Sequence, residues 1–131
     1  MTRARVEAVA TDPAAAAKLL QQAGRQLADA RSSSLSPESA FALAYQAALK
    51  GLIAALLAQG LRVSSGSGGH VVIIREAARV LGFERELSSR LDRMRRTRHA
   101  TLYEVDEVSA AMVQSALVDA TAVIDLAKAS V

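Results

Sequence analysis

The residues whose types and spacing are most suited to chemistry lie between Arg85 and Tyr103. Residues 85–98 contain six arginines, and one of the chain's two histidines, His99, follows directly. Arginine presents a planar set of donors that matches phosphate oxygens, and histidine transfers protons near neutral pH. The stretch therefore predicts one of three roles: chemistry on a ligand, binding of a phosphate chain, or binding of a partner.

A helix through this stretch places its arginines on different sides. Each residue advances about 100° around an α-helix, so Leu87, Leu91 and Met94 fall on one narrow arc, which predicts a core-facing stripe. Arg98 lies on the same arc, one helical turn beyond Met94. Three other arginines project from the other side: Arg90, Arg93 and Arg96.

The position of Arg98 on the apolar arc leaves two interpretations open. A buried and unpaired charge costs several kcal/mol, so the side chain must reach water, find a partner, or face a second chain. In one interpretation the helix frays near Arg98 and the guanidinium is solvated. In the other, Arg98 faces a cleft that two subunits share.

Length and composition predict one all-α domain spanning residues 1–131. The chain is 51% apolar but only 3% aromatic, and alanine dominates, which suits closely packed helices better than a sheet. The absence of cysteine excludes disulfides and thiolate metal sites, and we expect a cytoplasmic location. Lys50 interrupts the most apolar run, and the N-terminus lacks a signal-peptide pattern, so we expect no membrane insertion.

The net charge is only +3, so the protein is not basic as a whole. The charge is uneven, because residues 104–131 hold five acids against one lysine, in contrast to the arginines that precede them. This asymmetry is compatible with internal ion pairing and with a local binding surface for a polyanion.

Cap residues and hydrophobic periodicity predict an up-down bundle of four long helices and one short helix. Pro13 and Pro37 each follow a good cap residue, Gly82 ends the short helix, and Asp106 is a candidate cap for the last helix. Residues 1–11 lack a clean pattern, so we expect them to be flexible unless contacts order them. The predicted helices cover residues 13–30, 37–60, 70–81, 84–103 and 107–129.

The connector over residues 62–69 is rich in serine and glycine. A glycine-rich loop before a helix can hold phosphate through backbone N–H groups. No Gly-Lys-Ser/Thr follows it, however, so a plain linker is favoured. His70, which follows the connector, is interpreted as a capping or packing residue. No other ligand residues stand at metal-binding spacing, so we expect no metal site and no cofactor.

Three segments, in this order, resemble the HEPN family (higher eukaryotes and prokaryotes nucleotide-binding) of α-helical bundle domains. They are AFALAYQAALKGLIAALLAQGLRV, the pair Gly69-His70, and the arginine-rich helix that ends RRTRHATLYE. The resemblance covers roughly Pro37 to the end. It implies a homodimer in which an arginine and polar neighbours from each chain line one cleft. It also implies RNA, a nucleotide, or a nucleotidyltransferase antitoxin as partner.

The family's nuclease motif is an arginine, a polar residue, a few further residues and a histidine, often shortly before a tyrosine. In one register Arg98 corresponds to the arginine and Tyr103 to the tyrosine. His99 then takes the polar position, and the motif histidine falls at or near Leu102. In a second register Arg93 is the arginine and His99 the histidine. The resemblance thus implies three catalytic candidates: Arg98, His99 and Tyr103. The phosphate-binding candidates are Arg90, Arg93, Arg95 and Arg96.

Three hypotheses for function follow. The favoured one is a non-catalytic dimer with a degenerate nuclease motif, which binds RNA, a nucleotide or a nucleotidyltransferase through its arginines. The first alternative is an active metal-independent ribonuclease, in which Arg98 holds the phosphate and His99 acts as acid or base. The second alternative is a structural bundle whose arginines pair with acids of the same chain. Those acids are Glu104, Glu107 and Asp119.

Overall fold

The computed structural model describes residues 2–103 and 107–131, which form five helices and two short strands. The predicted all-α bundle of four long helices and one short helix is confirmed. The elements in chain order are β1 (Val6–Ala8), α1 (Pro13–Ala30), α2 (Pro37–Ala58), β2 (Leu61–Val63), α3 (Gly69–Leu81), α4 (Arg85–Tyr103) and α5 (Ala110–Ser130).

The central helix of the bundle is α2. Of its 22 residues, 11 are buried, and they lie on most sides of the helix rather than on one stripe. This distribution follows from its position, because α2 packs against the four other helices and against β2. Gly51 permits the close approach of α5, since a Cβ here would lie 3.4 Å from the side chains of Val123 and Ile124.

Two side-chain caps and one glycine fix the ends of three helices where the sequence predicted them. Asp12 Oδ1 accepts a hydrogen bond from the backbone N–H of Ala15 at 3.0 Å, at the start of α1. Ser36 Oγ accepts one from the backbone N–H of Ser39 at 3.2 Å, at the start of α2. Gly82 ends α3 with a positive φ of 67°, a conformation that glycine adopts without steric cost.

The last helix begins later than predicted. A start at Glu107 is wrong, because residues 107–109 are not helical and Ser109 is the cap of α5. The Ser109 hydroxyl accepts a hydrogen bond from the backbone N–H of Met112 at 3.1 Å. Asp106, the predicted cap, lies outside the described residues.

A small antiparallel sheet joins the N-terminal segment to the connector that follows α2. Val6 of β1 stands opposite Val63 of β2, and the Glu7 carboxylate accepts a hydrogen bond from Arg62 Nη2 at 3.1 Å. The prediction of a plain linker is therefore corrected, because strand β2 occupies its first part. Contacts were the only expected source of order for residues 1–11. Strand β1 forms in this segment and pairs with β2.

Further hydrogen bonds continue from the sheet to the start of α3. The backbone N–H of Ala4 donates to the Ser67 carbonyl at 2.9 Å, and the N–H of Ser67 donates to the Thr2 carbonyl at 3.0 Å. The residue before Ser67 must be a glycine, because a Cβ at Gly66 would lie 2.5 Å from the Thr2 carbonyl oxygen. These bonds hold the backbone that leads directly to His70.

Within the described residues, α2 and α5 are long and apolar enough to cross a membrane, by length and composition alone. In the bundle, 61% of the most apolar window of α2 and 44% of that of α5 is buried. The central position of α2 in the helical core accounts for its apolar composition.

Candidate functional site

The arginine-rich helix α4 is oriented by its apolar stripe. Leu87, Leu91 and Met94 are buried, as their spacing predicted. Because α4 contacts α2, α3 and α5, its two flanks face different neighbours. The arginines are therefore divided between two environments rather than forming one continuous band.

On the flank that faces α5, Arg90 is paired with a buried acid. Arg90 Nε donates to Asp119 Oδ1 at 3.0 Å, and only 6% of the Asp119 side chain is exposed. Both residues line a pocket of about 150 Å³, here called the α5 pocket, together with Arg93. The guanidinium of Arg90 is thus engaged by an acid that the structural-bundle hypothesis named.

Two further arginines share one acid within α4. Asp92 Oδ1 accepts a hydrogen bond from Arg95 Nε at 2.9 Å, and Asp92 Oδ2 lies 3.3 Å from Arg96 Nε. The spacings of three and four residues place these groups on adjacent turns. Surface ion pairs of this kind stabilise by only about 0.2–1 kcal/mol, so a phosphate can compete for these arginines.

On the opposite flank, α4 forms one wall of a cleft of about 270 Å³, here called the α3–α4 cleft. Arg98 lines this cleft and is half-buried. Among the described residues, no carboxylate forms an ion pair with Arg98. Arg98 therefore lies at a cleft within one chain, on a helix that continues to Tyr103, and the sharing of this cleft by two subunits stays a prediction. The lining residues are Tyr45, Gly68, Gly69, His70, Val71, Arg95, Arg98, His99 and Leu102.

A tyrosine and a histidine form the opposite side of the α3–α4 cleft. Tyr45 Oη and His70 Nδ1 are 2.9 Å apart, and the two ring centroids are 5.7 Å apart. Neither residue was predicted as a site residue, because Tyr45 is an apolar-type residue in the core helix α2 and His70 was interpreted as a capping or packing residue. The available signal was that His70 is one of only two histidines.

The protonation of this pair is set by burial and by a nearby arginine. Desolvation raises the pKa of Tyr45 to about 12, a rise that the positive charge of Arg95 opposes and the negative charge of Asp92 supports. Desolvation, and then the charge of Arg95, lowers the pKa of His70 below its usual value. At pH 7 the phenol therefore keeps its proton and the imidazole is mainly neutral.

The start of α3 also borders this cleft. Its cap is Gly68, which has a φ of 75° and provides no side-chain hydrogen bond to the helix. The first N–H groups of a helix lack intrahelical acceptors, and the helix dipole favours an anion at this end. Since Gly68 and Gly69 line the cleft beside Arg98, the start of α3 forms part of its wall.

The nuclease-motif candidates are separated by the structure. His99 is exposed and lines the α3–α4 cleft with Arg98, whereas Arg93 lines the α5 pocket. The register that joins Arg93 to His99 thus combines residues of two different sites. Leu102 also lines the cleft, and its side chain cannot carry a proton. Tyr103 ends α4, and its side chain lies outside the described part of the structure.

The polar groups of the α3–α4 cleft match an anion better than a cation. They are guanidinium groups, imidazoles, a phenol and backbone N–H groups, all of which donate hydrogen bonds in at least one form. In the described ranges, no three His, Asp or Glu side chains gather as metal ligands do.

A helical bundle with a basic cleft beside its arginine-rich helix is the class of domain that these observations define. The family model described as the HEPN domain matches residues 16–130, nearly the whole chain, so the protein belongs to the HEPN family. Domains of this family are associated with nucleotide binding and ribonuclease activity. A search of curated proteins gave no match to the sequence.

Proposed function

We propose that the protein is a homodimeric HEPN domain that binds RNA through its phosphates in the α3–α4 cleft. The observation that carries this proposal is the position of Arg98. Its side chain lines a cleft, on the arc of α4 that is otherwise buried, with no ion pair among the described residues. A half-buried guanidinium without an acidic partner is stabilised by a bound anion.

The surroundings of Arg98 favour a phosphate chain over an isolated carboxylate. Arg95 lines the same cleft, and no Asp or Glu of the described residues does. Two arginines can contact successive phosphates of a single strand, and such contacts release counterions. His70, which is exposed, supplies a ring face on which an unpaired base of single-stranded RNA can stack.

The homodimer is supported by apolar side chains at the cleft. Val71 is 41% exposed and Leu102 58% exposed, and both line the α3–α4 cleft. A second copy of the chain that covers them would remove apolar surface from water and enclose Arg98 in a deeper groove. Leu102 at or near the motif-histidine position is consistent with a nuclease motif that is degenerate in this helix.

The RNA proposal is tested by two arginines that lie on the same helix but in different sites. Arg98→Ala removes one guanidinium from the α3–α4 cleft, and Arg93→Ala removes one from the α5 pocket. We expect Arg98→Ala to weaken binding of a fluorescent single-stranded RNA by about tenfold or more, since a hydrogen bond to a charged group contributes about 1.5–3 kcal/mol. Arg93→Ala should change the affinity by less than about threefold.

Equal effects of the two substitutions would contradict binding in the α3–α4 cleft. An RNA affinity that does not decrease with salt would also contradict the proposal, because phosphate contacts are salt-dependent. In that case a protein partner, such as the nucleotidyltransferase implied by the family, would become the better hypothesis.

The dimer is tested with an exposed apolar residue at the cleft and one away from it. Leu102→Glu places a charge where the second copy is proposed to pack, and Val118→Glu places the same charge on α5, where Val118 is 66% exposed. Sedimentation velocity should give a dimer for the wild type and Val118→Glu, and a monomer for Leu102→Glu. A monomeric wild type would contradict the homodimer.

A further inference from the structure

We propose that the α5 pocket binds a small carboxylic acid that has a hydroxyl or ammonium group on the carbon next to its carboxylate and a short apolar side chain. The inference is independent of the proposed RNA binding, because this pocket and the α3–α4 cleft lie on opposite flanks of α4. It assigns a role to Arg93, which lines the α5 pocket.

Two rows of side chains, one on each of two helices, form the polar wall of the α5 pocket. Arg90, Arg93 and Thr97 form the row on α4. Ser115 and Asp119 form the row on α5. Residues three and four apart lie on the same side of a helix, so each row faces the pocket along its length. Groups held on helices keep their relative positions better than groups on loops, which favours a specific ligand.

The buried carboxylate of Asp119 has one oxygen left for a ligand. Oδ1 accepts a hydrogen bond from Arg90 Nε at 3.0 Å, whereas Oδ2 accepts none from the described residues. Among the side-chain oxygens that the structure describes, only Gln26 Oε1 is fully enclosed without a partner, so Asp119 Oδ2 keeps contact with the pocket. A carboxylate oxygen can only accept hydrogen bonds, so the ligand must supply a donor here.

The guanidinium of Arg93 supplies the complementary charge. Arg93 forms no ion pair within residues 2–103 and 107–131. Its N–H groups match the two oxygens of a carboxylate. Arg93 follows Arg90 by three residues, about 4.5 Å along the axis of α4, so it lies less than one turn from the pair of Arg90 and Asp119. This short spacing suits a carboxylate and a donor on adjacent carbon atoms.

The rest of the pocket is partly polar and partly apolar. Thr97 and Ser115 line it with hydroxyl groups that form no hydrogen bond within the described structure. Phe41, Met94 and Met112 provide an apolar surface, and the two methionines can adapt to the shape of a side chain. The volume is about 150 Å³. A cavity of similar volume in another protein binds benzene, so a ligand of about six to eight non-hydrogen atoms fits and a whole nucleotide does not.

The charges of the pocket favour an anion. Arg90 and Arg93 carry two positive charges and Asp119 carries one negative charge, so one positive charge is in excess. An α-hydroxy acid carries one negative charge and neutralises this excess, whereas an α-amino acid is neutral overall. Both kinds of acid donate a hydrogen bond to Asp119 and present a carboxylate to Arg93, but we expect the hydroxy acid to bind more tightly.

Isothermal titration calorimetry with four compounds that share an isopropyl group tests which groups the pocket recognises. α-Hydroxyisovalerate and valine have both the carboxylate and the adjacent donor. We expect a dissociation constant of about 1 mM or lower for α-hydroxyisovalerate. Isovalerate lacks the donor and should bind about fivefold more weakly or worse, because Asp119 Oδ2 is left without a partner. Isobutylamine lacks the carboxylate and should give no measurable binding.

Variants of two arginines on the same helix locate the site. Arg93→Met should weaken binding of α-hydroxyisovalerate by about tenfold or more, because a hydrogen bond to a charged group is lost. Arg96→Met is the matched control, since Arg96 lies near Asp92 and does not line the pocket, and it should leave the affinity unchanged. Ser115→Ala, which removes only a hydroxyl, should weaken binding by about threefold. Backbone amide NMR shifts on addition of the acid should be largest at Thr97 and Ser115.

Each outcome supports or overturns the proposal. Absence of binding by both acids at about 10 mM overturns it. Equal binding of isovalerate and α-hydroxyisovalerate overturns the role of Asp119 as acceptor. An affinity that is unchanged in Arg93→Met, or NMR shifts confined to residues outside the pocket, overturns the assignment of the site. Tighter binding of valine than of α-hydroxyisovalerate supports the pocket and identifies an ammonium group as the donor to Asp119.

Discussion

The pair between Arg90 and Asp119 gives the sharpest prediction for stability. Arg90→Met removes the guanidinium but keeps most of the aliphatic packing, and leaves a carboxylate whose side chain is only 6% exposed without its partner. Breaking a fully buried ion pair costs about 3–5 kcal/mol, and breaking a surface pair costs about 0.2–1 kcal/mol. The Arg90 side chain is 45% exposed, so we expect a loss of about 2 kcal/mol, between these limits.

The control is Arg93→Met, which removes the same charge from the same helix and the same pocket. Arg93 has no ion pair among the described residues, so its substitution should change the free energy of unfolding by less than about 0.5 kcal/mol. Urea unfolding followed by circular dichroism, at one fixed protein concentration, measures both variants under equal conditions of self-association.

A double-mutant cycle separates the pair from the individual side chains. When Asp119→Ala is added to Arg90→Met, the loss should be smaller than the sum of the two single losses, by about 1–2 kcal/mol, because the residues are in direct contact. Simple additivity, or equal stability of Arg90→Met and Arg93→Met, would refute the reasoning that Asp119 depends on Arg90.

Four further predictions concern two glycines and the protonation of the cleft. Gly60→Ala should lower the free energy of unfolding by more than about 1 kcal/mol, because φ is +73° and a Cβ would lie 2.8 Å from the Val9 carbonyl oxygen. Gly24→Ala should raise the free energy of unfolding by about 0.5–1 kcal/mol, because a Cβ at Gly24 would have no atom within 4 Å. The pKa of His70 is lowered in the folded state, so the unfolded state binds more protons than the folded state as pH falls below about 6.5. The free energy of unfolding of the wild type should therefore decrease as pH falls below this value, and that of His70→Gln should decrease less. Between pH 10.0 and about 12 the unfolded phenol of Tyr45 ionises first, so stability should decrease as pH rises, and less so in Tyr45→Phe. Thermal melting across pH measures the last two.

The helices could be predicted because their signals are local. Asp12 and Ser36 cap helices within three residues of themselves, and the stripe of Leu87, Leu91 and Met94 repeats at helical spacing. Each of these signals lies within one or two turns of chain, where cap chemistry and side-chain periodicity decide the structure.

The strands and the full composition of the cleft depend on contacts between distant parts of the chain. Strands β1 and β2 have three residues each, too few for an alternating pattern, and Glu7 meets Arg62 across 55 positions. Tyr45 and His70 are 25 residues apart, and their approach follows from the packing of α2 against α3. Periodicity within one segment carries no information about such pairs, so the sequence drew attention to Arg98, which lines the cleft, but not to the residues opposite it.

The arginines of α4 also combine local features, which the sequence shows, with contacts to distant residues, which it does not. Their residue type and helical phase were visible in the sequence, and Asp119 was among the acids named as partners, but the sequence did not show which arginine pairs with it. Asp119 is buried, and its carboxylate is paired with Arg90 of α4. A charged residue gives no sequence signal of burial when its compensating charge lies on another helix.

The central claim is that a phosphate of RNA contacts Arg98, and the salt dependence of binding measures this most directly. For single-stranded RNA, each phosphate that a protein neutralises adds about 0.7 to the steepness of log affinity against log salt concentration. We predict that Arg98→Ala makes this slope shallower by about 0.7 for every phosphate that the guanidinium neutralises, while Arg93→Ala leaves it at the wild-type value. A wild-type slope near zero, or an unchanged slope in Arg98→Ala, would contradict the account.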